Sequence, residues 1–415
     1  MDNVLRKTER EIAHEIDLEQ QKLINDEQEY VKKYEYGYIE NYTPSNYSSE
    51  KLAYIWLDQF DGIRKETKIK LIEKYNTYDA IKRDIIKDRD LLKCVINSET
   101  YEKMVNSIEK DEIYQIVENL DRRGIKVISK CDKDIFPDKL DCVEPVICLY
   151  AKGDINLLKY RYNIAIVGSR ENSDYGKIVT QKFARELTQY GFVIVSGMAR
   201  GVDTIAHRTC LQYGGKTIAV LCGGFNKIYP ASNRGLFQKI IDTGGLVLTE
   251  QRPELESTRY LFPDRNRIIS AISRGVVITE AGEKSGTTYT INYAIECGTE
   301  LFAIPGPIYN PTSAGCFNLI REYPSTMTTS VEDITKALNV KEEKMIMKEN
   351  SYQADLSEEM VLSIMREKKM DIHYDEIFAR AKMTSKELNV VLTSLILHDL
   401  IEKLPGNLYR LLEDN

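Results

Sequence analysis

Six short apolar runs constrain the fold of this 415-residue chain more than any other feature of its sequence. Each run has four or five residues, carries no charge, and is followed by a stretch with helical periodicity. Continuously apolar strands separated by helices are typical of a parallel sheet that is covered on both faces. The runs are Asn163–Val167, Phe192–Val195, Thr217–Leu221, Leu246–Thr249, Gly275–Thr279 and Leu301–Ile304. We therefore predict an α/β fold with a doubly wound, mostly parallel sheet.

Glycine-bearing segments follow four of these runs, at the edge of the sheet where ligands bind in such folds. They are Gly168–Arg170, Ser196–Asp203, Cys222–Gly224 and Glu280–Thr288. Glycines let backbone amides approach a ligand closely, and the helix N-termini that follow attract anions. The sequence therefore predicts a phosphate-binding rim, although a glycine after a strand also serves as ordinary turn chemistry.

The segment Arg259–Ser270 places three arginines near Phe262, in what we interpret as a loop that runs into an apolar helix. Arginine forks onto phosphates and stacks on bases, and an adjacent phenylalanine is a typical platform for single-stranded nucleic acid. The relevant residues are Arg259, Phe262, Arg265, Asn266 and Arg267. The alternative is a surface loop whose arginines pair with acids. We predict that Phe262 is a base platform and not a core anchor.

Motifs for catalysis and for tight nucleotide binding are missing from the sequence. The strict Gly-x-Gly-x-x-Gly fingerprint and the Walker A motif are absent, and no Ser–His–Asp order or carboxylate pair indicates an enzyme. We interpret His207, on an otherwise apolar helix, as a hydrogen-bonded core residue and Asp203 as a helix N-cap. No catalytic residue, metal or cofactor is predicted.

Changes of composition along the chain indicate five segments. Residues 1–45 read as an acidic polar helix or a loosely ordered arm, and residues 46–124 as a small helical domain of the helix-hairpin-helix type. The α/β domain covers 125–335, and 336–354 form a lysine- and glutamate-rich linker. Residues 355–415 contain three helical stretches and a strand pair, which is the outline of a winged helix.

Bulk charge does not exclude binding to a polyanion. The net charge is −7, but residues 1–45 carry −5 and residues 355–415 carry −4, which leaves +2 on the rest. Local potential governs such binding. Eight cysteines without C-x-x-C spacing indicate reduced thiols rather than zinc or redox sites. Because no apolar run has the length of a membrane helix, we expect a cytoplasmic protein.

Several motifs, in one order between about residues 130 and 320, resemble the DNA-processing protein A (DprA/Smf) family. They include Ile166–Arg170, Ser196–Asp203 with His207, Phe262–Ser270, Ser285–Thr287 and Phe302–Gly306. The resemblance implies a Rossmann-like domain between a helical N-terminal domain and a C-terminal winged helix. It implies binding of single-stranded DNA, protection of incoming strands in natural transformation, and help in loading RecA recombinase. A homodimer that is not membrane-bound and not an enzyme is expected.

The resemblance and the loop positions together predict thirteen residues that bind nucleic acid. They are Gly168, Ser169, Arg170, Arg200, Gly201, Arg259, Phe262, Arg265, Asn266, Arg267, Ser285, Gly286 and Thr287. Two loops depart from the family pattern. Cys222–Asn226 replaces a Gly-Thr-Gly loop with a following aspartate, and in Gly315–Pro324 Phe317 occupies an asparagine position.

Two other functions are compatible with such a sheet. A nucleoside-5′-monophosphate phosphoribohydrolase of the lysine-decarboxylase-like group would need a Pro-Gly-Gly-x-Gly-Thr loop followed by a glutamate. The chain instead has Ala281–Thr287, with only Glu280 and Glu283 close by. A nucleotide-sensing domain that reads a signal ligand is the third hypothesis.

Overall fold

The computed structural model describes residues 47–142, 144–283, 285–340, 356–368, 371–397, 400–404 and 406–411. The predicted arm, residues 1–45, lies outside these ranges, as does most of the predicted linker. Within the described ranges, no helix is both long and apolar enough to cross a membrane.

Six helices fill the first described part of the chain and contribute to one apolar core that includes Trp56. They are α1 (Ser49–Asp58), α2 (Lys65–Tyr75), α3 (Tyr78–Asp84), α4 (Arg89–Val95), α5 (Ser98–Glu109) and α6 (Glu112–Arg122). Side chains of Ser48, Thr77 and Asn97 cap three of the N-termini. Trp56 is fully buried, and its indole Nε1 donates a hydrogen bond to Ser107 Oγ at 3.1 Å.

A nine-stranded sheet follows, and it contains all six predicted strands within one residue of their predicted bounds. Its strands are β1 (Lys126–Ile128), β2 (Leu149–Gly153), β3 (Asn163–Gly168), β4 (Val193–Ser196), β5 (Thr217–Leu221), β6 (Leu246–Thr249), β7 (Gly275–Glu280), β8 (Glu300–Ala303) and β9 (Ser325–Met327). The order is β1-β2-β6-β5-β4-β3-β7-β8-β9. Strands β3 to β9 pair in parallel, whereas β1 and β2 are antiparallel. The predicted α/β class with a mostly parallel sheet is confirmed.

Helices cover both faces of this sheet, as the continuously apolar strands predict. The helices of the domain are α7 (Asp174–Gln189), α8 (Val202–Gln212), α9 (Arg234–Asp242), α10 (Leu261–Ala271), α11 (Thr287–Glu296), α12 (Ala314–Glu322) and α13 (Val331–Ala337). Alternate residues of β4 divide between the faces. Ile194 packs with α7, α8 and α13, whereas Val193 and Val195 pack with α10 and α11. The sheet is therefore doubly wound.

The first six helices join the sheet through a buried polar contact as well as an apolar one. The hydroxyl of Tyr150, on β2, donates to the Asp58 carboxylate at 2.8 Å. Burial raises the pKa of Asp58 to about 6, against the opposing effect of Lys68, whose own pKa burial lowers. Arg252 crosses the same boundary and forms an ion pair with Asp61 at 2.6 Å.

Three helices and three short strands make up the last described part of the chain. They are α14 (Leu356–Lys368), β10 (Ile372–His373), α15 (Tyr374–Ala381), α16 (Ser385–Leu397), β11 (Ile401–Leu404) and β12 (Leu408–Leu411). The strands form a separate sheet in the order β10-β12-β11. The elements occur where the winged-helix prediction expects them, and that assignment stays a prediction. Glu402, on β11, forms an ion pair with Lys177, in the first turn of α7.

Candidate nucleic-acid interface

A pocket of about 660 Å³ opens at the carboxyl edge of the sheet. It lies where the chain order reverses, because β4 to β6 extend from β3 in one direction and β7 to β9 in the other. Ligands bind at such switch points in doubly wound folds. Ten of the thirteen predicted residues line the pocket. They are Gly168, Ser169, Arg170, Arg259, Phe262, Arg265, Asn266, Ser285, Gly286 and Thr287.

The loop after β3 carries Arg170, one of two exposed arginines in the pocket lining. The backbone N–H of Ser169 donates to the carbonyl of Glu280 at 2.8 Å, which fixes the start of the loop on β7. The Ser169 hydroxyl is used locally, since it donates to the carbonyl of Glu171 at 2.9 Å. Arg170 is exposed, and its guanidinium carbon lies over the Phe262 ring, 4.3 Å from the centroid. Arg170 is therefore held in place by a cation–π contact rather than by an acid.

Arg200 and Gly201 do not line the pocket. Gly201 has a φ of 75°, and a Cβ there would come within 2.3 Å of the carbonyl oxygen of Ser169. This glycine therefore lets the loop before α8 pack behind the loop after β3. Arg200 is exposed next to it. The structure gives Gly201 a role in shaping the pocket and gives Arg200 no place in the lining.

The arginine segment is helical from an earlier residue than its sequence suggests. Helix α10 begins at Leu261, so Phe262, Arg265 and Asn266 lie on a helix and only Arg259 precedes it. The predicted loop is wrong at this point. Pro263 is the third helical residue, where the missing N–H has no intrahelical partner to lose. Phe262 is half-buried, with Arg170 over its ring and Tyr229 meeting it edge-on at 5.8 Å.

Arg265 lines the pocket but is 95 % buried beneath it. Its Nη1 donates to the carbonyls of Gly197 and Val220, at the ends of β4 and β5. Burial lowers the pKa of Arg265, whereas the nearby Asp203 carboxylate raises it. A Cβ on Gly197 would lie 2.2 Å from this Nη1. Arg265 therefore ties two strand ends together under the pocket floor, contrary to the expectation of a surface arginine.

Arg267 lies outside the pocket lining. Its side chain is 1 % exposed and forms an ion pair with Glu250, and Nη1 donates to the carbonyl of Glu144 at 2.7 Å. Lys65 of α2 contacts the same Glu250 at 2.9 Å. The alternative interpretation of the segment, arginines that pair with acids, therefore describes Arg267.

The loop after β7 brings a helix N-terminus to the opposite side of the pocket. Helix α11 begins at Thr287, directly after the exposed Gly286. The backbone N–H of Thr287 donates to Ser285 Oγ at 3.3 Å. The backbone N–H of Thr288 donates to the carbonyl of Ser285 at 3.2 Å, so the first two amides of the helix are engaged and the helix dipole is what favours an anion at this position.

The buried carboxylate of Glu280 organises the loops around the pocket. It accepts a hydrogen bond from the backbone N–H of Ser173 at 2.9 Å and from Asn310 Nδ2 at 3.4 Å. The hydroxyl of Thr312 also donates to it. Three neutral donors from two loops thus converge on one carboxylate that is 2 % exposed. Glu280 is engaged in structure, and it is not part of the pocket lining.

The sequence-based interpretation describes His207, as a buried core residue, but not Asp203, as a helix N-cap. His207 is fully buried with Nδ1 2.6 Å from Thr217 Oγ1, and burial lowers its pKa to about 3, as suits a neutral core residue. Asp203 is not the N-cap, because Gly201 occupies that position. Its carboxylate instead accepts from the backbone N–H of Ala199 at 3.2 Å, and it lines the pocket. Burial raises the pKa of Asp203.

Two tyrosines of the lining are absent from the sequence-based set. Tyr229 lies in the loop after β5 and Tyr289 in the first turn of α11, and both are about half exposed. The signal that could have found them is position, since each lies close after a strand end or helix start of the predicted rim. Among the described residues, no group of His, Cys, Asp and Glu side chains is arranged to hold a metal ion.

Fold and pocket together define a Rossmann-like α/β protein with a pocket lined by arginine and aromatic side chains at the switch point of its sheet. Residues 109–339 match the profile of a family described as DNA recombination-mediator protein A. The DNA processing protein DprA of Bacillus subtilis (strain 168) is 36 % identical over 252 residues, which are 59 % of this chain and 84 % of that protein. That of Streptococcus pneumoniae (strain ATCC BAA-255 / R6) is 41 % identical over 202 residues, 48 % of this chain and 70 % of that protein.

A solved structure agrees with these sequence matches. The X-ray structure of DNA processing protein A from Streptococcus pneumoniae superimposes with a TM-score of 0.59 at 30 % sequence identity, covering 70 % of this chain and 98 % of that one. The chain belongs to the DNA recombination-mediator protein A (DprA/Smf) family, as its motifs predict.

Proposed function

We propose that this chain binds single-stranded DNA in the pocket at the carboxyl edge of its sheet. The observation that carries the proposal is the exposed guanidinium of Arg170, stacked 4.3 Å from the centroid of the Phe262 ring inside that pocket. A guanidinium plane contacts phosphates through its N–H groups and stacks on bases through its face. A single strand exposes both its phosphates and the faces of its unpaired bases, whereas a duplex hides the base faces.

Charges around the pocket support an anionic ligand. Arg170 and Arg259 are exposed in the lining, and the N-terminus of α11 adds a positive dipole end. The acidic members of the lining are Glu171, which is exposed, and Asp203, which is buried opposite Arg265. Arg170 and Arg259 are therefore available to a ligand, whereas the charge of Asp203 is compensated by Arg265 beneath the pocket.

We also propose that the pocket binds its ligand without cleaving it. A phosphoribohydrolase of this group would need the glutamate of its glycine loop to be free in the pocket, but here Glu280 accepts three hydrogen bonds from neighbouring loops and Glu283 is exposed outside the lining. Incubation with nucleoside monophosphates should release no free base. Release of base above a buffer control would replace the binding proposal with the enzymatic one.

We extend the proposal to natural transformation, in which the protein protects incoming strands and helps load RecA recombinase. The family description, a recombination mediator, supports this role. A homodimer is part of the same proposal. The edge strand β9 leaves Met327 exposed, and the loop after β8 exposes Ile308 and Tyr309, so apolar surface is available at that end of the sheet. Light scattering on the purified chain would test the dimer.

The decisive experiment compares labelled single- and double-stranded oligonucleotides of one sequence in a gel-shift titration. We expect tighter binding of the single strand, and RecA assembly on single strands should accelerate when the protein is added. Equal or tighter binding of the duplex would overturn the proposed function. Tight binding of a mononucleotide, with no binding of either oligonucleotide, would favour the nucleotide-sensing alternative.

A further inference from the structure

Three aromatic side chains line the pocket, but they differ in how much ring surface they leave open. Phe262 is half-buried, and Arg170 and Tyr229 both pack on its ring. Tyr229 is 53 % exposed and Tyr289 is 51 % exposed. Within the described part of the chain, no hydrogen bond anchors the hydroxyl of either tyrosine. The open stacking surfaces of the pocket therefore belong to the Arg170 guanidinium, backed by Phe262, and to the two tyrosines.

These three surfaces follow one another along the edge of the sheet. Tyr229 comes after β5, Arg170 after β3, and Tyr289 after β7. The strands β5, β4, β3 and β7 are consecutive neighbours, so the strand ends from which these loops leave span three strand spacings, about 14 Å. That distance exceeds what one base requires and fits a short run of bases.

We propose that the pocket holds several consecutive nucleotides across the strand ends, with one base on the Arg170–Phe262 pair and flanking bases on Tyr229 and Tyr289. This inference rests on the proposed single-strand binding and adds the extent and direction of the path. Phosphates between the bases face Arg259 and the N-terminus of α11. Because every base has a flat face, such a site tolerates any sequence and discriminates by length.

The test measures binding of thymidine oligonucleotides of increasing length, from the mononucleotide to a twelve-mer, by the full chain and its variants. Tyr229→Ala and Tyr289→Ala should each weaken binding of the longer oligonucleotides by about fivefold or more. The loss should grow with oligonucleotide length and be smallest for the mononucleotide, whose single base occupies the Arg170–Phe262 pair. Tyr229→Phe and Tyr289→Phe should bind like the unaltered protein, because the ring and not the hydroxyl supplies the contact.

Tyr260→Ala is the matched control, since Tyr260 is 77 % exposed and is not part of the pocket lining. It should leave every affinity unchanged, and the melting temperatures of all these variants should stay close together. If the unaltered protein binds no single strand, the proposed function fails. If it binds, but the tyrosine-to-alanine variants bind equally well, only the multi-nucleotide path is overturned. Equal losses in the phenylalanine variants would overturn stacking.

Discussion

Two regions of this molecule are rich in arginine, and they use it in opposite ways. At the junction between the first six helices and the sheet, Arg252 pairs with Asp61 and Arg267 with Glu250. In the pocket, Arg170 packs on an aromatic ring and Arg265 donates to backbone carbonyls. Within the described residues, no pocket arginine forms an ion pair. Arginine content alone therefore does not identify a polyanion site. Arg170 is distinguished by three features together: it is exposed, it lines the pocket and, among the described residues, it forms no ion pair.

The largest effect should come from breaking the junction. Arg267→Ala leaves the Glu250 carboxylate, which is 9 % exposed, with only Lys65 as a cation. We expect a loss of roughly 3–5 kcal/mol of stability, because removal of one partner of a buried pair is strongly destabilising and the partly exposed Lys65 compensates the remaining carboxylate only in part. Thermal melting measures the loss.

The same Arg267→Ala variant also tests whether the junction affects the affinity of the pocket for single-stranded DNA. Below its melting transition the Arg267→Ala protein should keep single-strand binding, because Arg267 is absent from the pocket lining. A specific loss of binding in a stable Arg267→Ala protein would show that junction and pocket are not separate.

Phe262 provides the next test, because a core anchor and a base platform make opposite forecasts. Phe302 is the matched control, since it lies on β8 and is fully buried, so Phe302→Ala should cost roughly 3–5 kcal/mol of stability. Phe262 is half-buried and supports the Arg170 guanidinium, so Phe262→Ala should cost less stability and roughly 1–3 kcal/mol of affinity. Melting and oligonucleotide titration on both variants decide between the forecasts. A stability loss at Phe262 as large as that at Phe302, with affinity intact, would make it a core residue.

Arg170→Ala tests whether this exposed pocket arginine contacts a phosphate of the ligand. We expect weaker single-strand binding and a log K against log salt slope that is shallower by about 0.7, the contribution of one phosphate contact on a single strand. Arg161 is a suitable control, because it is also exposed and lies over the ring of Tyr162 at 5.8 Å, but is not part of the lining. An unchanged slope in Arg170→Ala would remove this residue from the phosphate path.

Sequence periodicity predicts the sheet well because each strand is a local pattern. The predicted bounds of β5 and β6 agree with the structure residue for residue. The loops after β3 and β7 also lie at the pocket, since the carboxyl ends of parallel strands meet at one edge. These features depend on neighbours in the chain and on a general rule of topology.

Contacts between distant residues explain what the sequence could not give. Arg265 lies between Asp264 and Asn266 and resembles a surface residue, yet its acceptors are carbonyls of Gly197 and Val220, 68 and 45 residues away. Pro263 suggests a loop, but the first turn of a helix tolerates proline. The position of Tyr229 beside Phe262 also depends on two separate loops.

The smallest effect is expected from removal of the C-terminal helices and strands. Residues 355–415 carry a charge balance of −4, which disfavours phosphate contact and favours a role in protein–protein or intramolecular contacts. Their ion pair with the α/β domain joins Glu402 to Lys177, shortly after the loop that carries Arg170. Deletion of residues 340–415 removes an acid from the vicinity of the pocket and frees Lys177.

Single-strand affinity should therefore stay within about twofold of the full chain or rise slightly, since one additional exposed cation contributes little at physiological salt. Glu402→Gln in the full chain is the matched control, because it removes the same charge without removing the domain. If binding collapses in a truncated protein whose circular dichroism and melting still show a folded α/β domain, these residues contact DNA despite their charge. If Glu402→Gln raises the affinity for single strands while the truncation does not, the ion pair with Lys177 lowers affinity, and the rest of residues 340–415 contributes an affinity gain of similar size.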